Sequence, residues 1–464
     1  MTLFDSRSGA ATADWAYETF YDVDTGDRRH RARIIAMAAS LAACPAGEVC
    51  VVFPDPAERE GAYRLLSNED VTGAHLEQAM ASATVAACVN SSKVFVPVDG
   101  SSLGLSDKAC RRDIGAVGSW KKKGRGLLVQ TALALDSNGT PIGVCAQMWW
   151  ARTEKSPNKR RPVKEKETHY LVTTLRTAFE RLVAKIPKEA FVALLDRGYD
   201  CWPVLALVNQ GVGMVLRAQY NRRLATDKKG SPKYLFDAVD QGTLRGRLHI
   251  HLEETSKRAA RIAHLEVRVC RVTLSLKVGP KRRENVTMNA VDVREINGPK
   301  KGLRWLLLTT EACDSWAQIE AVVRAYSWRW RIEEFHRVWK KGGGNVEDTQ
   351  LQSKEGLIKW ATMHAAVAAR AVRLCRLART QPELPASEEL SEPEIEALLL
   401  LSRKRRPPKT PKGLSLSEAV DLLARVGGYA GKSSSGGPPG PTIVARGVER
   451  MANAAQILAL LKEK

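Results

Sequence analysis

The chain has 464 residues, enough for roughly two to four domains, and 44% of them are hydrophobic, as in an ordinary globular protein. It carries 72 Lys and Arg against 51 Asp and Glu, a net charge of +21 and an isoelectric point near 9.7. This excess predicts a polyanionic partner, nucleic acid first and an acidic membrane second. The longest apolar run is too short to span a bilayer, and the first residues do not resemble a signal peptide. The nine scattered cysteines favour buried thiols in a reducing cytoplasm.

Residues 1–75 are predicted to form a helical module. An arginine-rich segment that includes Arg29 and Arg33 leads into an apolar helical repeat, and further helices are predicted over Pro56–Leu66 and from about Val71. Arginines at the start of a helix are well placed to contact phosphates or a DNA groove. A solvated helix end is the alternative reading of the same residues.

Two short apolar strands are each predicted to stop at a carboxylate. Residues 93–99 end on Asp99, where Gly100 and two serines suggest a turn, and Phe191–Leu195 is followed directly by Asp196. If both strands belong to one sheet, the two carboxylates converge.

The segments around these strands predict a mixed α/β core. Strands over 127–135 and 142–150 are joined by the turn sequence Asp136-Ser-Asn-Gly139, a helix is predicted over 168–185, and a strand over 212–218. A short helix is also predicted from about Trp202, so the resulting order is β-β-β-α-β-α-β.

Residues from about 220 to 300 alternate apolar and polar side chains, which predicts an inserted β-rich unit. A further strand follows over 303–308 and contains Trp305. Beyond 380 the chain is predicted to be a separate helical module, in which Ser415 and Glu418 have the spacing of a helix capping box. Three short segments are rich in Lys and Arg, namely 121–125, 155–166 and 403–406.

The stretch 326–340 predicts an amphipathic helix with one chemically unusual face. At about 100° per residue, Tyr326, Arg329, Glu333 and Lys340 fall within an arc of roughly 60°. An ordinary solvated face is one alternative, and a helix break at Tyr326 and Ser327 is another.

Asp99, Asp196 and Glu333 would together supply three carboxylates and no Cys or His, the donor set that Mg²⁺ or Mn²⁺ prefers. Two such ions can activate a water or a 3′-hydroxyl for phosphoryl transfer. Arg329 and Lys340 on the same helix face would then bind phosphates. Tyr326 could donate a hydrogen bond to a phosphate as well.

These residues carry a resemblance to a known family. Tyr326, Arg329, Glu333 and Lys340 reproduce the Tyr-(2)-Arg-(3)-Glu-(6)-Lys signature of bacterial insertion-sequence transposases of the DDE type. The run W-R-I-E-E-F-H-x-x-W-K-x-G is similar to the transposase of the compound kanamycin-resistance transposon. The blocks E-G-A-Y-R, V-D-G-S-S, L-D-R and W-L-L-L-T follow in the family's order, whereas the region after 380 matches weakly. One departure is Gly198, where that relative has an acidic residue.

The resemblance implies an RNase H-like catalytic core over 76–379 with a β-strand insertion at about 220–300. This core would be flanked by an all-α DNA-end-binding domain over 1–75 and an all-α dimerisation domain over 380–464. Asp99, Asp196 and Glu333 would bind two Mg²⁺ ions, with Mn²⁺ as a substitute. The partners would be terminal inverted repeats, target DNA and a second copy of the chain.

The implied activity is cut-and-paste transposition. The enzyme would nick the transposon end, close and reopen a DNA hairpin, and join the end to target DNA. Trp305 would stack on a flipped base, with an ordinary core tryptophan as the alternative, and Arg217 would contact a phosphate. A cytoplasmic, nucleoid-associated bacterial enzyme is expected. The competing functions are a catalytically silent DNA-binding or inhibitor derivative and another RNase H-like nuclease.

Overall fold

The structure is a computed structural model. It describes the chain in ten segments, which are 10–45, 48–107, 112–118, 124–152, 166–225, 231–252, 261–296, 302–402, 413–431 and 437–462. For residues 10–14, 250–252 and 459–460 only the backbone is described. Most of the three Lys/Arg-rich segments, at 121–123, 155–165 and 403–406, therefore lies outside the described residues. Within the described residues, no helix is both long and apolar enough to cross a membrane.

The chain divides into two compact units. The first unit contains Met1–Asn90, Gly100–Tyr170 and Arg331–Lys464, and the second contains Ser91–Asp99 and Leu171–Trp330. The chain therefore crosses from one unit to the other four times.

The first unit begins with short helices whose starts are set by capping side chains. Asp27 accepts a hydrogen bond from the N–H of Arg29, Asp55 precedes a proline at the first helical turn, and Thr72 forms a capping box with His75. These helices are α1 (Ala10–Phe20), α2 (Arg28–Ala43), α3 (Val49–Val52), α4 (Pro56–Ser67) and α5 (Gly73–Ala87). The sequence predicted α2, α4 and α5 but neither α1 nor α3.

A β-hairpin follows in the first unit, with the predicted turn at its tip. Asp136 Oδ1 accepts hydrogen bonds from the N–H groups of Asn138 and Thr140, both at 2.8 Å, and Gly139 has a positive φ of 74°. The hairpin strands are β3 (Gly124–Leu135) and β4 (Pro141–Trp150), with β2 (Gly115–Val117) beside β3.

The strand that carries Asp99 is longer than the sequence predicted. Strand β1 covers Val94–Leu105, so Gly100 and the two serines after it continue the strand and do not form a turn. The reason is a change of partner, because β1 lies between β5 (Phe191–Leu195) and β3 in the sheet order and its pairing with β5 ends at Pro97. Asp99 therefore lies just beyond the parallel-paired part of β1.

The second unit is built on a mixed sheet. Besides β1, its strands are β5 (Phe191–Leu195), β6 (Met214–Arg217), β7 (Thr243–Leu252), β8 (Arg261–Lys277), β9 (Arg283–Glu295) and β10 (Arg304–Thr309). Their order in the sheet is β1-β5-β6-β10-β9-β8-β7. The first three strands are parallel, and the pairs from β6 to β7 are antiparallel. The predicted insertion supplies β7, β8 and β9.

Helices complete the second unit, and they are α6 (Glu167–Val183), which starts in the first unit, α7 (Trp202–Leu205), α8 (Leu235–Asp240) and α9 (Trp316–Trp328). The inner face of α9 packs on β5, β6, β8, β9 and β10 through buried aliphatic side chains and Tyr326. This packing fixes the position of Tyr326 against the sheet.

The stretch 326–340 is not one continuous helix. Helix α9 ends at Trp328, Arg329 forms a single-residue break, and α10 (Trp330–Arg337) is followed by a π-helical segment, Val338–Gly342. The N–H of Arg329 bonds the carbonyl of Tyr326 at 3.1 Å, three residues back instead of four. The break therefore falls at Arg329 and not at Tyr326 and Ser327, and a single helical wheel does not describe the whole stretch.

The first unit ends in a helical bundle. Its long helix α11 (Lys354–Thr380) packs with α12 (Glu392–Leu401), α13 (Leu416–Val426) and α14 (Pro441–Lys462) around a shared apolar core. The predicted capping box of Ser415 and Glu418 is present, and Ser391 begins α12 in the same way. Capping boxes satisfy the N–H groups left over at a helix start, which explains the sharp start of both helices.

Candidate active site

Asp99 and Asp196 lie at matching positions on two neighbouring strands of the second unit. β1 and β5 run parallel, and Pro97 is the partner of Leu194 at the last paired position. Each aspartate comes two residues after that pair, and both are half-buried. Because neighbouring strands lie about 4.8 Å apart, strand pairing alone brings the two carboxylates to the same edge of the sheet.

A short 3₁₀ turn, Arg197–Tyr199, follows Asp196 and connects the two aspartates. Asp196 caps the turn, because its Oδ1 accepts a hydrogen bond from the N–H of Gly198 at 2.7 Å. The hydroxyl of Tyr199 donates to Asp99 Oδ1 at 3.0 Å. A Cβ at residue 198 would lie 3.0 Å from Asp196 Oδ1, so the glycine at this position keeps the carboxylate uncrowded.

Asp200 holds the other end of this turn. Its side chain is almost fully buried and accepts hydrogen bonds from the N–H groups of Gln219 and Tyr220, at 2.7 and 3.0 Å. Arg222 adds a further bond from Nε at 2.7 Å. A buried carboxylate bonded in this way stabilises the local backbone. The turn from Asp196 to Asp200 is thus fixed at both ends.

Tyr326 lies in a polar neighbourhood beside this edge of the sheet. Its side chain is only 3% exposed, and burial raises the pKa of its phenol. The positive charges of Arg329 and Arg217 act in the opposite direction, and the charge of Asp196 adds to the rise. The structure therefore brings together four of the predicted site residues within the second unit.

Two further contacts order this neighbourhood. The guanidinium of Arg217 acts to lower the pKa of the Tyr326 phenol, and its Nη2 donates a hydrogen bond to the backbone carbonyl of Arg304 at 2.9 Å. The half-buried Trp305 meets the Tyr326 ring edge-on, with 5.4 Å between ring centroids. Trp305 thus packs on the core through part of its surface, and the rest stays accessible.

Glu333 and Lys340 belong to the first unit. Glu333 lies half-buried on α10, and the adjacent Glu334 forms ion pairs with Arg376 and, at 3.5 Å, with Arg331. Glu334 is therefore occupied by the packing of α10 on α11. Lys340 lies in the π-helical segment, and its Nζ is 3.3 Å from a carboxylate oxygen of Glu347, a partner that the sequence did not suggest.

The two predicted DNA-contacting arginines of the N-terminal module differ in exposure. Arg29 has a side chain 87% exposed and pairs with the N-cap Asp27 at 2.9 Å. Arg33 is half-buried, and its guanidinium lies against Gly61 of α4, where an added Cβ would come within 2.9 Å of it. Arg29 is thus the more accessible of the two.

The fit of a metal ion can be judged from the donor chemistry of the second unit. Asp99 and Asp196 offer carboxylate oxygens from neighbouring positions, which suits a hard divalent cation. Among the residues that the structure describes, no three His, Cys, Asp or Glu side chains lie close enough together to hold a metal ion. The described pair fits part of a metal site, and a third ligand from Glu333 stays a prediction.

Three protein-family models match the chain in succession. Residues 12–71 match a transposase DNA-binding domain, residues 160–369 match a transposase DDE domain, and residues 366–456 match the dimerisation domain of the Tn5 transposase. Together, these matches support the interpretation of the chain as a DNA-binding DDE transposase similar to that of Tn5.

The matched domains support DNA binding, DNA cleavage with strand transfer, and formation of a homodimer. The DDE domain also implies the use of a divalent metal ion, typically Mg²⁺. Asp196, Arg217, Trp305 and Glu333 lie inside the DDE match, whereas Asp99 precedes it. The C-terminal match covers most of the region after residue 380, in which the sequence blocks were weak.

One contact of the site had no sequence signal. Tyr199 follows the L-D-R block, and nothing in its spacing indicates that its hydroxyl reaches Asp99. The contact depends on the pairing of β1 with β5, two strands that lie almost 100 residues apart in the chain.

Proposed function

We propose that this chain is a cut-and-paste DNA transposase. It would bind terminal inverted repeats, excise the element through a DNA hairpin, and join its 3′-hydroxyl ends to target DNA. The observation that carries the proposal is the pair of carboxylates, Asp99 and Asp196, at matching positions of two parallel strands. The three successive matches to transposase domains support the interpretation of this pair as part of a transposase active site.

The reaction at each step is a displacement at phosphorus. A water or a 3′-hydroxyl forms a new P–O bond, and the opposite P–O bond breaks with its electrons leaving on the departing oxygen. We assign Asp99, Asp196 and Glu333 to hold two Mg²⁺ ions, with Mn²⁺ as a substitute. When bound, such ions lower the pKa of the attacking hydroxyl and stabilise the leaving oxygen. The carboxylates themselves hold the ions and orient the attacking group.

Basic residues around the carboxylates would position the DNA. Arg217, Arg329 and Lys340 are assigned to backbone phosphates, because a guanidinium or an ammonium group binds a phosphate by charge-assisted hydrogen bonds. Tyr326 is assigned to a phosphate as well, as a hydrogen-bond donor beside Arg217, whose charge acts on the pKa of its phenol. Trp305 is assigned to stack on a flipped base, for which its accessible part is available.

The remaining assignments concern the three domains and the location of the protein. The domain at 1–75 would recognise the transposon end, with Arg29 and Arg33 as phosphate contacts. The region 76–379 would be an RNase H-like catalytic domain, and 380–464 would pair two subunits on two DNA ends. We place the protein in the bacterial cytoplasm, on nucleoid DNA.

The test is cleavage of supercoiled DNA that carries the inverted repeats flanking the gene. Asp99→Ala, Asp196→Ala and Glu333→Ala should each lower Mg²⁺-dependent cleavage by at least about 1000-fold, since each removes a metal-holding group. Each variant should still bind the end in a gel-shift assay. Glu320→Gln is the matched control, because Glu320 lies on the outer face of α9 and pairs with Arg324 at 3.3 Å. Ca²⁺ should preserve the complexes and stop the chemistry.

The outcomes separate the competing functions. Binding of the end without cleavage by the wild-type protein would favour the silent or inhibitor derivative. Cleavage of branched DNA without a requirement for inverted repeats would favour another RNase H-like nuclease. Full cleavage by any one of the three Ala variants would remove that residue from the assigned set.

A further inference from the structure

Tyr199 was not among the predicted site residues, but it contacts one of them, Asp99. Its hydroxyl donates a 3.0 Å hydrogen bond to Asp99 Oδ1, although the two residues are 100 positions apart in the chain. The tyrosine is half-buried, so part of its ring is accessible. The hydroxyl is therefore bonded to a carboxylate of the candidate site, a contact that packing of the ring alone does not require.

The backbone that carries Tyr199 is held on both sides. On one side, its own N–H bonds the carbonyl of Asp196 at 3.2 Å, inside the 3₁₀ turn that Asp196 caps. On the other side, the next residue is the buried Asp200, which is fixed by Arg222 and two backbone N–H groups. The phenol therefore extends from a rigid turn and not from a mobile loop.

The same short turn thus serves both aspartates. Its middle residue, Gly198, donates its N–H to Asp196 Oδ1, and its last residue, Tyr199, donates its hydroxyl to Asp99 on the neighbouring strand. A carboxylate that binds a metal ion must present its oxygens in a defined direction, and hydrogen bonds from outside the ligand set provide that direction. The loss of such a bond typically costs about 10- to 100-fold in metal affinity or activity.

We propose that Tyr199 is a positioning residue that orients the Asp99 carboxylate for a divalent metal ion. The inference rests on the proposed function, because it assumes that Asp99 holds the ion. Tyr199 makes no contact with DNA or with the ion in this role and acts only through Asp99. The hydroxyl fixes the rotation of the carboxylate, so that the ion meets an arranged ligand.

The experiment measures Mn²⁺ binding to the full-length protein by the loss of the free-ion electron paramagnetic resonance signal. Tyr199→Phe removes one oxygen and keeps the ring, so the fold should be unchanged in circular dichroism and thermal unfolding. We expect its Mn²⁺ dissociation constant to rise about 10- to 100-fold. Tyr234→Phe is the matched control, because Tyr234 is 46% exposed and lies at the start of α8. It should bind Mn²⁺ as the wild type does.

Cleavage assays give a second readout. In Tyr199→Phe, the Mg²⁺ concentration for half-maximal cleavage should rise, while the rate at saturating Mg²⁺ should stay within about threefold of wild type. An effect on folding alone would lower the maximal rate without moving the Mg²⁺ requirement.

Asp99→Asn separates the two levels of the proposal. If Asp99→Asn loses Mn²⁺ binding and Tyr199→Phe stays within twofold of wild type, the positioning role is wrong and the proposed function stands. If the wild type binds no Mn²⁺, or if Asp99→Asn binds it unchanged, the metal-holding role of Asp99 fails, and the role of Tyr199 fails with it.

Discussion

His364 lies near the middle of α11 with both ring nitrogens buried. The residue is 1% exposed, and neither nitrogen has a hydrogen-bond partner among the described residues. Its ring meets Trp360 edge-on, with 4.9 Å between centroids. Burial lowers the pKa of His364 to about 3, against an ordinary value of 6.5. The folded chain therefore holds this histidine neutral at physiological pH.

We expect His364 to make the first unit sensitive to acid. Between pH 6.5 and about pH 3, the unfolded chain takes up a proton that the folded chain does not, so stability falls as the pH falls. The loss is about 1.4 kcal/mol for each pH unit within this window. His364→Phe, which keeps an aromatic ring without a titratable group, should lose less stability between pH 6.5 and pH 4.5 in urea unfolding. Exposed His169→Gln is the control, and an equal loss in wild type and His364→Phe would contradict the expectation.

Helices α13 and α14 approach each other so closely that glycine is needed on both. A Cβ at Gly447 of α14 would overlap the carbonyl oxygen of Leu423, and a Cβ at Gly427, which ends α13, would overlap the carbonyl oxygen of Ile443. The backbones of the two helices are therefore in direct contact. This contact lies within the segment that matches the dimerisation domain.

Gly447→Ala should force α13 and α14 apart. Overpacking of a tight interior contact costs roughly 1–3 kcal/mol, and a backbone overlap leaves little room to relax. We expect a lower unfolding temperature and a smaller fraction of dimer in analytical ultracentrifugation. Gly440→Ala is the matched control, because a Cβ at Gly440 would meet nothing within 4 Å. Unchanged stability in Gly447→Ala would mean that the two helices are further apart than described.

At the scale of the whole molecule, the net charge of +21 is the dominant feature. A protein that neutralises several DNA phosphates releases the counterions that were bound there, and its affinity then falls steeply with salt. The charge is spread over the chain, since exposed basic side chains such as Arg29 and Arg64 lie in the N-terminal module and Arg282 lies in the insertion.

Binding of a duplex that lacks the inverted repeat should therefore weaken by at least about 100-fold between 50 and 200 mM salt. Fluorescence anisotropy at a series of salt concentrations gives the slope of log affinity against log salt. Arg29→Gln should make the slope for the transposon end shallower by about one unit, because one phosphate contact is lost. An unchanged slope would assign Arg29 to the solvated helix end that the sequence left open.

Much of the fold followed from local sequence signals. Two kinds of feature are formed by residues close together in the chain. One is a helix start with a capping box, such as Ser415 with Glu418, and the other is the turn at Asp136–Gly139. The period-2 pattern of the insertion likewise predicted its strands. What failed were features set by distant partners. Asp99 was predicted to end its strand, but β1 continues because it lies next to β3 beyond that point.

For the candidate site, the residue types and their family-like spacing can be read from the chain alone, because spacing along the chain and side-chain chemistry are local properties. Which of these residues meet depends on the folding of distant segments against each other. Parallel pairing of β1 and β5 aligns Asp99 with Asp196, and the packing of α9 buries Tyr326 beside Arg217. Tertiary packing also sets the helix break at Arg329, and it brings the hydroxyl of Tyr199 to Asp99. Such contacts depend on strand register and helix packing, which are set by burial of the whole core and not by any local stretch.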